Sequence, residues 1–324
     1  MTAGMALILL LSPIVIASDF IEALRRCRAR EDRDPERIEF ASRAIHSWTP
    51  SDGSALLADA YFQRAKGELA AENGARAEND AAKTLELDPR NDSALFLRGR
   101  ARLMQNKAAP AEHDFSEYAS GHPDDGEGWL GLAESRLALG LPRADKPAFS
   151  AAQKAAMRLN RSDPRPLIAE GRARLASSRP LESLSFFNAA VSRGGEYSAE
   201  SFAWRAQAHA ALGNAEAARD DGAKAAENYE RRLTDRLRTS ATETSVAVVR
   251  AQLADVRFRR GQSEEILRLK SEAVEDYRLS CDLGRADACA RAKELSGSAE
   301  PVSQPKRPRK SNPTPDSGTR IYAS

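Results

Sequence analysis

The chain has 324 residues, of which 30% are charged, and a mean hydropathy of −0.55, values typical of a soluble protein. Basic and acidic residues nearly balance, at 49 against 47, so the formal charge of +2 provides no overall field to attract nucleic acid. Aromatic residues make up only 6% of the chain, which favours a core of closely packed helices over one filled by large rings.

The N-terminus has the pattern of an export signal. An apolar run from Ala6 to Ile16 leads to the small residues Ala17 and Ser18. The run is too short to cross a bilayer comfortably. The leading MTAGM has no Lys or Arg, so an uncleaved anchor and a buried first helix remain alternatives. We therefore predict that residues 1–18 are a signal peptide and that the protein is periplasmic or secreted.

Two series of residues recur along the chain at nearly matching intervals. The first consists of small residues that we call markers, separated by 34, 34, 38, 35 and 48 residues: Ala65, Gly99, Ala133, Gly171, Ala206 and Ala254. The second lies downstream, with steps of 34, 34, 38, 35 and 55 residues: Ala81, Phe115, Phe149, Phe187, Gly222 and Tyr277. Two series that drift together indicate a repeat array.

The central unit carries the clearest pattern, with Trp129, Ala133, Leu139-Gly140 and Phe149. This pattern resembles that of tetratricopeptide repeat proteins. The resemblance implies an all-α, right-handed solenoid of about six to seven helical hairpins, in which a small residue lies where two helices cross. Residues 19–53 would form a degenerate N-terminal capping repeat, residues 54–295 the array, and residues 296–324 a disordered tail.

Two segments depart from the regular unit length. Ala215 to Thr239 has no strong helix breaker and is predicted to form one long helix. In the last unit, SEEILRLKSEA would add seven residues after the marker Ala254, about two helical turns.

The three cysteines are Cys27, Cys281 and Cys289. The segment around the last two resembles the Sel1-like variant of helical repeats, and the resemblance implies a disulfide between Cys281 and Cys289. The intervening Leu-Gly is a helix-ending signal that would fold the chain back. Two reduced thiols are the alternative, and Cys27 has no evident partner.

No catalytic, metal or cofactor site is predicted. The four histidines, His46, His113, His122 and His209, are scattered over different units, and none forms a zinc-hydrolase pair with glutamate. The sequence contains no nucleophile elbow, phosphate loop or dinucleotide fingerprint. Sel1-like relatives have been linked to penicillin binding, so a cell-wall enzyme is a less favoured alternative.

Recognition is therefore the predicted activity. The resemblance implies that the first helices line a concave groove, and residues three before and one after each marker share one helical face. The cations there suit an extended peptide with an acidic residue or a free carboxylate; alternatively, they are solvated or paired with Glu134. The predicted groove residues are Phe62, Lys66, Phe96, Arg100, Leu130, Glu134, Ile168, Arg172 and Gln207.

The tail is rich in Pro, Ser and charge, which predicts disorder. Its basic residues are Lys306, Arg307, Arg309 and Lys310, and they would support only weak contact with anionic lipid or cell-wall polymer. We expect a non-catalytic scaffold for a protein or peptide partner, in envelope assembly or maintenance. The alternative is a secreted effector that uses the basic tail as a targeting segment in a host cell.

Overall fold

A computed structural model describes residues 19–31, 35–140, 145–159, 162–239 and 243–297, with the backbone alone for 145–149. Within these ranges the regular structure is helical and includes no strand, and two short 3-10 turns occur at Pro50–Asp52 and Gly195–Tyr197. The α-helices are α1 Asp19–Arg28, α2 Pro35–Ser47, α3 Ser54–Ala70, α4 Gly74–Leu87, α5 Asp92–Met104, α6 Ala108–Gly121, α7 Gly126–Ala138, α8 Asp145–Arg158, α9 Arg165–Ala176, α10 Pro180–Arg193, α11 Ser198–Ala211, α12 Ala215–Arg238, α13 Glu243–Ile266, α14 Lys270–Asp282 and α15 Ala286–Gly297.

Consecutive helices pack against each other along the whole array, and each odd-numbered helix up to α11 also contacts the next odd-numbered helix. Short connections make neighbouring helices antiparallel. The result is seven stacked hairpins, from α1/α2 to α13/α14, closed by α15. The predicted all-α hairpin solenoid is confirmed, and its odd-numbered helices form a continuous layer.

The turn inside each repeated hairpin contains one residue with positive φ. The first five follow their markers by seven positions, and the whole series has the steps of 34, 34, 38, 35 and 55 residues seen in the second sequence series: Glu72, Asn106, Gly140, Ser178, Gly213 and Arg268. The left-handed conformation ends the first helix and turns the chain into the second. Glycine adopts it without a steric penalty, whereas a side chain costs roughly 1 kcal/mol or more.

We expect Arg268→Gly to raise the free energy of unfolding by up to about 1 kcal/mol, because Arg268 is exposed and has a φ of 61°. Gly213→Ala, at the equivalent turn with a φ of 77°, is the matched control and should destabilise by a similar amount. Urea denaturation of both variants tests this, and a loss of stability in Arg268→Gly would contradict it.

The last hairpin corrects one marker of the sequence pattern. Gly261, not Ala254, faces the ring of Tyr277, and a Cβ on Gly261 would lie 2.9 Å from that ring. The step from Ala206 to Gly261 is then 55 residues, which matches the step from Gly222 to Tyr277. The predicted insertion after the marker is therefore wrong, because the extra residues precede it at the start of α13.

The extra length of α13 matches that of α12. The predicted long helix is confirmed as α12, and both helices have 24 residues. They bury Tyr229 and Ala226 of α12 against Val249 and Leu253 of α13. An extended helix needs such a partner to cover its apolar face.

Two aromatic rings fill spaces at helix crossings where glycine leaves room. Phe115 packs between Gly99 and Gly131, and a Cβ on Gly131 would lie 2.4 Å from the ring. Phe187 packs on Gly171, where a Cβ would lie 2.5 Å from the ring. The predicted small residues at helix crossings thus have a direct steric cause.

Four hairpins also contain a buried Arg–Asp pair that was not predicted from the sequence. The arginine immediately precedes the marker, and the aspartate lies 16 residues later on the second helix. The arginine nitrogens lie within hydrogen-bond distance of buried carboxylates, so each pair joins the two helices of its hairpin. The pairs are Arg64–Asp80, Arg98–Asp114, Arg205–Asp221 and Arg260–Asp276.

In the fifth hairpin Glu170 occupies the arginine position and Phe186 the aspartate position. Glu170 is buried, with Arg174 at 3.6 Å, and burial raises the pKa of its carboxyl from 4.5 to about 7. Because the folded state binds this proton more tightly than the unfolded chain, Glu170 lowers stability as pH rises from about 4.5 to 7.

We expect Glu170→Gln to be more stable than the parent chain at pH 8 by roughly 1–3 kcal/mol, and to lose this advantage at pH 5. Denaturant titrations of both chains at the two pH values give the comparison. The difference between the chains isolates Glu170, because Glu264, whose pKa burial also raises to about 7, is common to both. An advantage that does not change with pH would contradict the assignment.

One ion pair joins hairpins that are distant in sequence. Arg236, near the end of α12, lies 2.6 Å from Glu72 in the turn between α3 and α4. Both side chains are largely shielded from solvent. The array therefore curves enough for its second and sixth hairpins to meet.

The predicted pairing of Cys281 with Cys289 is confirmed, with Cα atoms 4.8 Å apart across the turn from α14 to α15. The thiol of Cys27 is buried and donates to the carbonyl of Arg37, and burial raises its pKa to about 11. Helix α15 runs to Gly297, so it includes the first two residues, 296 and 297, of the predicted tail. The predicted signal peptide and the basic tail residues lie outside the described residues. No helix within the described ranges has the length and apolarity needed to cross a membrane.

Candidate peptide-binding groove

The residues that follow the markers bring charges together on neighbouring odd-numbered helices. Arg100 on α5 and Glu134 on α7 form an ion pair, with Nη1 3.2 Å from Oε2. Their side chains are 34% and 29% exposed, so the pair lies at a partly accessible surface. For Arg100 the structure thus shows the pairing with Glu134 that the sequence left open.

Arg172 on α9 has a different environment. Its guanidinium carbon lies 4.8 Å from the centroid of the Trp204 ring on α11, a cation–π contact. Burial lowers the pKa of Arg172, and Glu134 is the one carboxylate that opposes this shift. Among the described residues no carboxylate lies within salt-bridge distance of Arg172. Its guanidinium is therefore oriented and partly desolvated, with donor capacity left for an anion.

The difference between the two arginines has a local cause. Trp204 occupies the position two residues before the marker of the sixth hairpin, beside Arg172 of the fifth. The equivalent position beside Arg100 is Gly131, which offers no ring. Glu134, which pairs with Arg100, is replaced by Gln207 at the equivalent position beside Arg172, so Arg100 has a carboxylate partner whereas Arg172 stacks on an indole.

Several predicted groove residues serve packing instead. Leu130 and Ile168 are 0% and 7% exposed, so they present no useful surface to a ligand, and their assignment to the groove is corrected. Phe96 packs on Phe115, with ring centroids 5.7 Å apart, and Phe62 packs on the core around Ala65. At these four markers the side chain three residues earlier packs against neighbouring residues of the array.

Lys66 on α3 is half-buried, and Gln207 on α11 lines a cavity of about 660 Å³ beside α13. The corrected marker Gly261 places Gln262 at the position equivalent to Gln207, and Gln262 and Glu265, one turn later, line the same cavity. The sequence prediction named no groove residue in this last hairpin, whose marker it placed seven positions too early. The 55-residue step in the aromatic series would have located Gln262 and Glu265.

The four histidines are not brought together. His46 lies on α2, His113 on α6, His122 just after α6, and His209 on α11. Within the described part of the chain, no group of three or more His, Cys, Asp or Glu side chains could hold a metal ion. The chemistry this surface offers is hydrogen bonding, charge and apolar contact.

No protein-family model and no curated protein matches this sequence. The structure is similar to that of a tetratricopeptide repeat protein from Parabacteroides merdae ATCC 43184, with a TM-score of 0.57 and 16% identity. The similarity covers 86% of this chain and 97% of that chain. The chain has the tetratricopeptide-repeat fold.

Two further tetratricopeptide repeat structures are similar at lower scores. The thermophilic protein of Thermus thermophilus has a TM-score of 0.48 and 19% identity, over 57% of this chain and 98% of its own. The C-terminal part of a repeat protein from Cytophaga hutchinsonii has a TM-score of 0.46 and 14% identity, over 84% of this chain and 98% of that one. At 16% identity, the similarity to the Parabacteroides merdae protein shows the fold alone.

Proposed function

We propose that this chain is a non-catalytic scaffold that binds an extended peptide segment of a partner protein along its odd-numbered helices. The observation that carries the proposal is Arg172, which is stacked on Trp204, partly desolvated, and has no carboxylate at salt-bridge distance among the described residues. Such a guanidinium favours an anionic ligand.

The local charge balance supports an acidic residue or a free carboxylate as that anion. Glu134 is already engaged by Arg100, so this group of three charges retains a net positive charge. A carboxylate at Arg172 would form two parallel hydrogen bonds with the planar guanidinium. Stacking on Trp204 fixes the arginine beforehand, which reduces the conformational entropy lost on binding.

Arg172→Gln should weaken the binding of acidic peptides at least ten-fold, because it removes the charge-assisted bonds. Seven-residue peptides that contain Asp, compared with Asn versions, can be titrated by fluorescence anisotropy. Arg219→Gln is the matched control, since half-buried Arg219 pairs only with its neighbour Asp220 among the ion pairs of the described residues.

Trp204 supplies a second readout. In a Trp48→Phe, Trp129→Phe background its emission should change when a carboxylate draws Arg172 from the indole. The proposal would be contradicted if the parent chain and Arg172→Gln bound the Asp peptide with equal affinity. It would also be contradicted if the parent chain bound Asp and Asn peptides equally well.

We also propose that the scaffold acts in the periplasm or outside the cell, in envelope assembly or maintenance. The apolar run Ala6 to Ile16 and the small residues after it support export. Cell fractionation of the native host tests this proposal. Protein in the periplasm supports the envelope role, accumulation in the medium supports a secreted effector, and an exclusively cytoplasmic protein contradicts both.

A further inference from the structure

The sixth hairpin lacks the ring that fills its neighbours. At the crossing of α11 and α12 the paired residues are Ala206 and Gly222, whereas the fifth and seventh hairpins pair glycine with Phe187 or Tyr277. The stem of Arg260 comes within 3.3 Å of a Cβ built on Gly222, but no ring enters from α12. The space left by the missing ring is bordered by residues of α9, α11, α12 and α13.

This space is the cavity of about 660 Å³ described above. Much of its wall is apolar, since α11 contributes Ala203, Ala206 and Ala210, and α13 contributes Val256. An apolar cavity of about 150 Å³ suffices for benzene, so an aromatic side chain fits here readily. Charged residues in the wall are already paired, as with Glu265 and Arg291 at 2.7 Å.

The cavity adjoins the Arg172 site. Leu175, which lines the cavity, lies one turn after Arg172 on α9, and three helical residues rise about 4.5 Å. Ala203 and Gln207, also in the wall, lie on either side of Trp204 in the sequence of α11. A single short peptide can therefore contact both features.

We propose that the cavity of the sixth hairpin is the anchor pocket for a large apolar side chain, preferably aromatic, of the acidic peptide that Arg172 binds. This inference rests on the proposed function and deepens it. An extended chain advances about 3.3 Å per residue, so the anchor lies one to three residues from the acidic residue. The occupant is a segment of a partner protein that combines these two side chains.

The pocket is tested first without any peptide. p-Cresol, the side-chain analogue of tyrosine, is titrated into the full chain while the methyl signals of Ala203, Ala206 and Ala210 are followed by NMR. We expect saturable shifts at these methyls. The double variant Ala206→Gly, Gly222→Phe copies the Gly171–Phe187 pair. It should abolish the cresol-induced shifts of the two methyl signals that remain, those of Ala203 and Ala210.

The second test uses labelled peptides GSDGFSG and GSFGDSG, with controls GSDGASG and GSNGFSG. The two peptides place Phe after or before Asp, and in one of these two orders we expect the Phe peptide to bind the parent chain about ten- to a hundred-fold more tightly than the same peptide with Ala in place of Phe. The double variant should bind the Phe peptide no better than the Ala peptide. Ala210→Phe blocks the exposed mouth of the pocket and should act in the same way if the double variant fails to fold.

The outcomes separate this inference from the proposed function. If Arg172→Gln weakens the Asp peptides but the pocket variants leave the gain from Phe intact, the pocket inference is wrong and the scaffold stands. If Asp and Asn peptides bind equally, the proposed function is wrong. The cresol titration would then still show whether the cavity binds an aromatic ring, because it uses no peptide. The absence of both cresol shifts and a gain from Phe overturns the pocket.

Two other occupants are also outcomes of the test. Tyr322 is the one aromatic residue in the sequence after Gly297. If cresol shifts appear only after Tyr322→Ser, the pocket is filled by this chain's own tail, which overturns the partner assignment. If they appear only upon dilution, together with a fall in mass measured by light scattering, a second copy fills the pocket and the assignment is likewise overturned.

Discussion

Replacing Asp114 with alanine is expected to lower the free energy of unfolding by about 3–5 kcal/mol. Asp114 is fully buried and binds two arginines, Arg98 at 2.8 Å and Arg102 at 2.7 Å. Without the Asp114 carboxylate, Arg98 loses this ion-pair partner. Arg102 keeps its contacts with Glu78 and with the carbonyl of Pro110. A largely buried guanidinium that has lost its carboxylate is costly to keep in the folded state.

Urea denaturation of Asp114→Ala measures the loss, and Asp220→Ala is the matched control. Asp220 is exposed and pairs with Arg219, a kind of surface contact worth less than about 1 kcal/mol. Asp114→Asn keeps the shape but not the charge and should fall between the two. A change within about 1 kcal/mol for Asp114→Ala would show that the buried pair does not hold the hairpin together.

Phe187→Ala should cost about 3–5 kcal/mol, because it removes a fully buried ring and leaves a cavity in the fifth hairpin. The variant would imitate the natural composition of the sixth hairpin, where Gly222 stands in the ring position. Leu181→Ala, on the exposed face of the same helix, should change stability by less than about 0.5 kcal/mol.

A double-mutant cycle shows whether the ring explains the glycine opposite. Gly171→Ala should destabilise the parent chain by about 1–3 kcal/mol, since its Cβ would lie 2.5 Å from the ring. In the Phe187→Ala background this cost should disappear. Additive losses would contradict the steric account of the small residue at the crossing.

The fold was predictable from the sequence because its repeated features are local. Marker spacing, the aromatic series and the helix-ending Leu-Gly each report on a single hairpin, and they agree with one another. The same logic failed at Ala254, where the longer α12 and α13 moved the marker seven residues, to Gly261. A third series, the turn residues with positive φ, supports the corrected register.

The groove was less predictable because its properties arise between hairpins. Arg100 and Arg172 occupy the same position in the repeat, yet Gly131 and Trp204 on the next helices place them in different environments. The cavity likewise depends on Gly222, a residue visible in the sequence as a gap in the aromatic series. That residues of α9 and α13 complete the walls of this cavity could be seen only from the packing of the helices.

The contact between Arg236 and Glu72 changes how the solenoid responds to force. An array in which each hairpin touches only its neighbours behaves as a spring that can lengthen by small shifts at every interface. The ion pair between the second and sixth hairpins restrains this lengthening, because it links two hairpins that are not neighbours. We expect this pair to narrow the range of spacings between Arg100 and Arg172, which lie on the third and fifth hairpins, and so to narrow the range of lengths over which a partner can contact both.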